Sequence, residues 1–305
     1  AASMKLQKGA NALDWQCQEV PRWFLYDAQK NGTATGTRRS MTQTFIPRAL
    51  SSGCQLIDKT TVLKLRQAGP RWEALAVHPE AGRVEIVADY VWVCAGATQT
   101  PALLRKSGIK KNIGNTLHMH PSMKVTATFP DQVNSQDMGV PVHQCKEFAP
   151  DISIGCSISS PPHLALGMMD YPNATSFIQE KWPHMATYYA MATGGGKGRV
   201  RTLPGHRDPL VSYKLYNETL RTLATGVKHL CEILFAAGAE TCFPGGTNGL
   251  SLKGPDELSR LPEVFKRKLA NPMTIHLFSS CPMGEKPTQT ATNSFGRVHR
   301  HKNLF

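Results

Sequence analysis

The 305-residue chain has no Cys-x-x-Cys pair, no Gly-x-Gly-x-x-Gly stretch, no long apolar run and few acidic residues. Its eight cysteines stand singly at positions 17, 54, 94, 145, 156, 231, 242 and 281. Such spacing excludes a zinc ribbon and a disulfide-dense scaffold, and it predicts reduced, buried thiols such as Cys94, set between Val93 and Ala95, in a cytoplasmic protein. No stretch approaches the roughly 18 apolar residues that cross a bilayer, so any membrane contact is peripheral. Acids are short by a wide margin: 35 Lys and Arg face 22 Asp and Glu, a formal net charge of +13. That surplus calls for an anionic partner. The basic residues are scattered, the longest run being Lys266-Arg267-Lys268, without a long tract or interleaved aromatics, so nucleic acid is not expected, and a phosphate-bearing cofactor or substrate stays open. The start, Ala1-Ala2-Ser3-Met4-Lys5, lacks both an initiator Met and an apolar leader, which predicts a piece of a longer chain.

What is present describes a globular protein. Hydrophobic residues make up 41% and charged residues 19%, and the length allows about two domains. From Cys54 to Ala97 the pattern is that of strands: Leu56-Ile57 with Val62, Leu63 and Leu65, then Trp72 to Val77, then Val84, Ile86 and Ala88 after a turn at Pro79 to Gly82. Tyr90 to Ala95 is apolar without alternation, as a strand buried on both faces of a parallel sheet would be. Gly96 ends it. A helix is expected next, capped by Thr98 or Thr100 with Pro101 in its first turn, and stopped by Gly108. A strand, a glycine turn and a helix N-terminus in this order suit a nucleotide, though an ordinary strand-to-helix turn has the same pattern.

The middle of the chain mixes strand-like pieces (Lys124 to Phe129, Ile152 to Ile158, Ala186 to Ala192) with turns, and implies an antiparallel sheet. Gly194 to Gly198 lacks the spacing of a phosphate loop and reads as a hairpin tip. Leu220, Leu223, Val227, Leu230, Leu234 and Ala237 draw one apolar stripe, so a helix capped by Asn217 and ended by Gly238 is expected, with a shorter helical segment between Pro255 and Leu269.

Among the eleven histidines, His118 with His120 and His299 with His301 form His-x-His pairs, but neither has a third ligand at recognisable spacing and no metal is expected. His276 lies where an apolar approach, Pro272 to Ile275, meets the small residues Ser279 and Ser280. An imidazole presented there could act as a general base near neutral pH, or could be a satisfied core histidine.

Four separated segments, in order, resemble the glucose-methanol-choline (GMC) family of FAD-dependent oxidoreductases. They are Tyr90 to Ala97 with Thr100-Pro101-Ala102-Leu103-Leu104 and Ser107-Gly108-Ile109; Ile113 to Pro121; His276 followed by Cys281 and Met283-Gly284; and Gly296-Arg297-Val298 with Asn303-Leu304-Phe305. The likeness runs from about Gly36 to Phe305. The short connection from Gly108 to His120-Pro121 resembles the long-chain alcohol oxidase branch. Two parts of the family pattern are missing: the glycine-rich pyrophosphate loop and a terminal segment with a second catalytic residue. Ser279-Ser280 also stands where the family has Gly-Thr.

The resemblance implies a mixed α/β and α+β fold, with part of a Rossmann-like FAD-binding domain beside a substrate domain built on an antiparallel sheet backed by helices. It divides the chain into a remnant of an inserted segment (1–35), the middle of the FAD-binding domain (36–120), the substrate domain (121–270) and a return to the FAD-binding domain (271–305). It further implies oxidation of a small-molecule alcohol to an aldehyde or ketone, with His276 as catalytic base, Val62, Ala95 and Gly96 against the adenosine of FAD, and oxygen or another electron acceptor as partner. The competing expectation is a catalytically inactive relative that serves as a basic binding module.

Overall fold

The computed structural model describes residues 1–26, 36–136 and 139–305. The chain forms two compact units, one of Ala1–Ser51, His120–Gly195 and Tyr216–Thr274, the other of Ser52–Met119, Gly196–Leu215 and Ile275–Phe305. Their bounds differ from the four expected segments. Residues 1–19, assigned in sequence to a remnant, are built into the first unit, and 27–35 lie outside the described residues. Residues 196–215, expected in the substrate domain, belong to the second unit, where Leu117 and Gly198 exchange backbone hydrogen bonds and the Val200 amide donates to the Gly114 carbonyl.

The first unit is a six-stranded antiparallel sheet in the spatial order Cys17–Glu19, His143–Cys145, Ile152–Cys156, Met185–Ala192, Ser122–Thr128 and Thr241–Pro244. The helix Asn217–Ala236 covers one face, burying Leu220, Leu223, Val227, Leu230 and Leu234 as the stripe predicts. Asn217 does not cap it. Tyr216 holds that position without a side-chain bond, and the Asn217 amide oxygen instead accepts from Arg267 at 3.0 Å. At the other end Gly238 takes φ +88°, and the amides of Gly238 and Ala239 close back on Phe235 and Leu234. Between Pro255 and Leu269 only a short 3-10 turn, Pro255–Arg260, forms, since Pro262 denies the chain a continuous ladder.

The helix Ala2–Ala12 packs on the long helix through Gly9, where an added Cβ would stand 1.9 Å from the Ile233 carbonyl oxygen. Gly194 and Gly195 are not a hairpin tip. Gly195 turns at φ +109° with its carbonyl accepting from the Thr219 hydroxyl, and Gly196 already opens the strand Gly196–Arg201, whose hairpin with Leu210–Leu215 has its tip farther on.

The second unit carries a three-stranded meander, Thr61–Ala68, Arg71–His78 and Gly82–Ala88. Leu65, Trp72, Leu104, Ile109, Ile113, Ala291, Val298 and Leu304 form its core. Leu56 and Ile57 lie outside the meander and are exposed. Among the described residues no helix is long and apolar enough to cross a membrane. All eight cysteines are free, and Cys145, Cys156, Cys231 and Cys242 are buried, but Cys94 is exposed.

The close approach at Gly9 leaves no room for a methyl group, because the neighbour is backbone rather than a movable side chain. Gly9→Ala is expected to lower the unfolding free energy by about 1–3 kcal/mol, measured by urea denaturation; an unchanged midpoint would show that the two helices do not meet there.

Candidate functional site

The expected buried strand at 90–95 is the largest departure from the sequence pattern, and it shapes the site. Val91 forms a parallel bridge with Leu304, and the amides of Val91 and Val93 donate to Asn303 and Phe305. Val91 and Val93 face the core. The alternate residues face outward, Tyr90 at 55% and Trp92 at 64% exposure, stacked in series with Phe305. With pairing on one edge and packing on one face, the segment is a half-buried edge and not a strand sealed on both sides; Cys94 is exposed for the same reason.

The helix that follows is Gly96–Lys106, so it starts before Thr98, and Pro101 sits inside it rather than in its first turn. Gly96 makes this early start possible with φ +82°. Thr100 serves the turn from within: its hydroxyl accepts from the Ala95 amide at 3.0 Å and donates to the Val93 carbonyl at 3.3 Å. Ser107 closes the helix and ties it to the meander, accepting from the Leu65 amide at 2.8 Å while donating to the Leu103 carbonyl at 2.7 Å.

Between the first meander strand, the 90–95 segment and this helix lies a cleft of about 620 Å³. Val62, Leu65, Ala74, Val91, Val93 and Leu103 supply its apolar wall, with Trp92 and Ala95 beside them. A bulge after Val62 sets this wall. Val62 pairs with Ala76 and Leu65 with Ala74, so the extra residue, Leu63, puts Val62 and Leu65 on the same face despite their odd spacing. The rim is polar: Lys106 donates to the Arg207 carbonyl at 2.7 Å, and Gln99 donates to Asp208 at 3.3 Å. An apolar wall with a few polar groups at its edge, in a volume of this size, suits a flat heterocycle with a hydrophilic substituent.

Val62 and Ala95 thus line one cleft. Gly96 does not line it, and a Cβ there would meet nothing within 4 Å, so its φ and not a close approach explains the glycine. His276 does not line it either. It is exposed and immediately precedes Leu277–Phe278, which pairs antiparallel with His118–Met119. The small-residue turn after it is firmly held: Ser279 takes φ +61° and accepts from the Thr116 hydroxyl at 2.6 Å, and the buried Ser280 accepts from the Gly114 amide at 2.7 Å. Burial pushes the Cys281 thiol up to about 11, so it stays protonated at neutral pH.

Arg201 and Arg105 carry this architecture without any signal in the sequence, whereas Ser107 stands in one of the segments that resemble the family. Arg201 donates to the Gly114 carbonyl at 2.6 Å and to the Asn115 side chain at 2.8 Å, and Arg105 donates to the Ile113 carbonyl at 2.9 Å. Of the His-x-His residues, His118 stacks on Phe278 and His299 is bonded to Thr290. Among the described residues no three His, Cys, Asp or Glu are grouped to hold a metal ion.

Comparison with known proteins places these segments in context. GMC oxidoreductase family models match residues 2–122, for the N-terminal part, and 196–305, for the C-terminal part. A GMC-type oxidoreductase of Sinorhizobium fredii is 36% identical over 310 residues, covering 98% of this chain and 61% of the relative. A long-chain-alcohol oxidase of Arabidopsis thaliana is 24% identical, covering 98% of this chain and 45% of the relative. The chain therefore spans about half the length of these curated relatives. The crystal structure of pyridoxine 4-oxidase from Mesorbium loti shares the fold, with a TM-score of 0.66 at 17% identity over 100% of this chain and 63% of that one.

Ser107→Ala leaves the buried Leu65 amide without an acceptor beside the cleft. A loss of about 1–3 kcal/mol in chemical denaturation is expected, with faster hydrogen exchange at Leu65; retained protection of that amide would contradict the tether.

Proposed function

Because the chain belongs to the GMC oxidoreductase family, whose members are FAD-binding flavoproteins, we propose that it supplies the adenosine-holding cleft and the catalytic base of an enzyme that oxidises an alcohol to an aldehyde or ketone. The observation that carries this proposal is the convergence of Val62 and Ala95, distant in sequence, on one cleft with a polar rim. The residues present fit one end of FAD. An apolar wall and an aliphatic backbone edge suit the adenine and ribose, while the chain has no glycine-rich loop to cradle the pyrophosphate.

Bound FAD supplies the hydride acceptor for the carbinol carbon. The chain's own residues do the rest. Val62 and Ala95 hold the adenosine, and Gly96, by its left-handed turn, starts the helix whose Gln99 and Lys106 edge the cleft. His276 accepts the alcohol's hydroxyl proton on an imidazole nitrogen, and the imidazolium that results places positive charge where negative charge gathers as the substrate is oxidised. The anchored turn at Ser279 and Ser280 keeps small residues next to that histidine and restricts its approach. The likeness to long-chain-alcohol oxidases supports an alcohol as donor, and oxygen or another acceptor completes turnover. FAD, with its phosphates, is an anionic partner of the kind the charge surplus calls for.

In the full-length, flavin-loaded protein, His276→Ala is expected to slow alcohol-dependent flavin reduction by about 10²–10⁴-fold, followed by absorbance in a stopped-flow instrument. Undiminished reduction removes the assignment. Ala95→Leu, which fills the cleft, is expected to lower flavin content without loss of fold; a folded full-length protein that carries no flavin would favour the non-catalytic binding module instead.

A further inference from the structure

The helix-covered face of the six-stranded sheet carries two cysteines side by side. Cys17 and Cys145 are directly opposite in the antiparallel pairing of Cys17–Glu19 with His143–Cys145, and directly opposite residues point to the same face. Cys145 in turn pairs with Ile154, and Ile154 with Ala190, both fully buried. Gly226 of the long helix stands over Ile152 and Ala190, so this is the face that the helix Asn217–Ala236 covers.

Antiparallel strands alternate between wide, hydrogen-bonded pairs and narrow, non-hydrogen-bonded ones, and the narrow kind brings facing side chains closest. The Lys146 amide donates to the Gln16 carbonyl at 2.8 Å, and the Val20 amide donates to the Val142 carbonyl at 2.9 Å. In the same register Gln16 with Lys146, Gln18 with Gln144 and Val20 with Val142 are therefore the hydrogen-bonded pairs, which leaves Cys17 with Cys145 at a narrow one. Such a pair separates the Cα atoms by about 4.5 Å, inside the range of roughly 4.4–6.8 Å that a disulfide spans. Burial, and after it the neighbouring Cys145 thiol, pushes the Cys17 thiol up to about 11.

Proximity and access coincide at this pair. Cys17 is half-buried, so a soluble reagent reaches it, and the buried Cys145 is reached through it. Cys231 and Cys242 also touch, yet both are fully buried. Cys54 and Cys94 are exposed but lie in no strand that would set a second thiol opposite. The strand Cys17–Glu19 is the outermost of its sheet. It follows the helix Ala2–Ala12, whose Ser3 hydroxyl accepts from the Val142 and His143 amides at 3.1 and 3.0 Å. A bond between Cys17 and Cys145 would join this N-terminal segment covalently to the sheet on which it is otherwise only packed and hydrogen-bonded.

We propose that Cys17 and Cys145 form a modification site, closed into a cross-strand disulfide by exchange with a low-molecular-weight disulfide of the oxidised glutathione class. The Cys17 thiolate attacks one sulfur of the reagent, so that a mixed disulfide forms, the reagent's S–S bond breaks and one thiol leaves. The Cys145 thiolate then attacks the Cys17 Sγ, which forms the protein disulfide and displaces the second thiol. The two cysteines are oxidised, the reagent is reduced to two thiols, and the protons the cysteines lose end on those thiols. Burial holds both cysteines protonated at neutral pH, so the pair rests as a dithiol there and the exchange is slow. Neither cysteine has a role in the proposed alcohol oxidation, and the inference stands apart from it.

The 305-residue chain is incubated with oxidised glutathione at about pH 9, where more thiolate is present, the remaining thiols are alkylated, and a non-reducing digest is mapped by mass spectrometry. Peptides joined through Cys17 and Cys145 are expected as the main protein disulfide, with Cys54 and Cys94 carrying glutathione, and dithiothreitol is expected to release the link. Cys17→Ser is expected to abolish it and leave Cys145 a free thiol, whereas Cys54→Ser leaves it in place. Repeating the reaction in concentrated urea is expected to cut the yield of this link by about sevenfold or more, because Cys17 then chooses among seven other cysteines. Glutathione held on Cys17 with Cys145 unlinked, a link from Cys17 to another cysteine, or equal yields in the folded and urea-unfolded chain would each overturn the assignment.

Discussion

Three backbone hydrogen bonds fasten the segment at Val91 and Val93 to the residues Asn303 to Phe305, and the Trp72 indole donates to the Lys302 carbonyl at 2.9 Å beside them. Each such bond contributes only about 0.5–1.5 kcal/mol. Together they join residues more than 200 positions apart and fix three things at once. Leu304 is drawn into the core with Leu65, Trp72 and Leu104. Val91 and Val93 are turned inward, where they form part of the cleft wall with Trp92 and Ala95 beside them. The helix from Gly96 receives a rigid lead-in, so that Ser107 at its far end can reach the Leu65 amide. The cleft's three walls come from three stretches of chain, and this pairing together with the Ser107 tether holds them in register.

Patterns that repeat along one element were legible in the sequence. The meander shows in the alternation through Trp72, Ala74 and Ala76, and the long helix in the leucine stripe from 220 to 234. Features that depend on a single residue's departure from the repeat were not. The bulge at Leu63 reverses the facing of everything before it, and nothing in Thr61-Val62-Leu63-Lys64 announces it. Pro101 suggests a first turn because proline is tolerated there, yet Gly96 starts the helix earlier by taking a left-handed conformation, and the proline is absorbed within it. Tyr90 to Ala95 has the composition of a doubly buried strand because composition cannot tell how many neighbours a strand acquires. Of the candidate site residues, Val62 and Ala95 meet at one cleft, whereas Gly96 acts through its backbone and His276 stands on a separate, exposed approach. The side chains that clamp backbone carbonyls, Arg105 and Arg201, bond to partners chosen by the tertiary fold, so sequence spacing could not reveal them.

Charge plays a smaller part in holding the fold than the +13 surplus suggests. The ion pairs among the described residues are mostly at the surface, such as Arg66 with Glu73 and Arg71 with Asp89, where screening and side-chain entropy leave each contributing little to stability. At the rim of the cleft Lys106 and Arg207 stand beside Asp208, so the basic surplus is partly offset there.

The claim on which the functional account turns is that the cleft between Val62 and Ala95 receives adenosine. Backbone amide spectra of the deuterated 305-residue chain, recorded during titration with adenosine monophosphate, address it directly. Saturable shifts are expected to concentrate at residues 60–65, 91–96 and 103–106, with the six-stranded sheet unaffected. Shifts elsewhere with none at those positions, or no shifts at millimolar nucleotide, would contradict it.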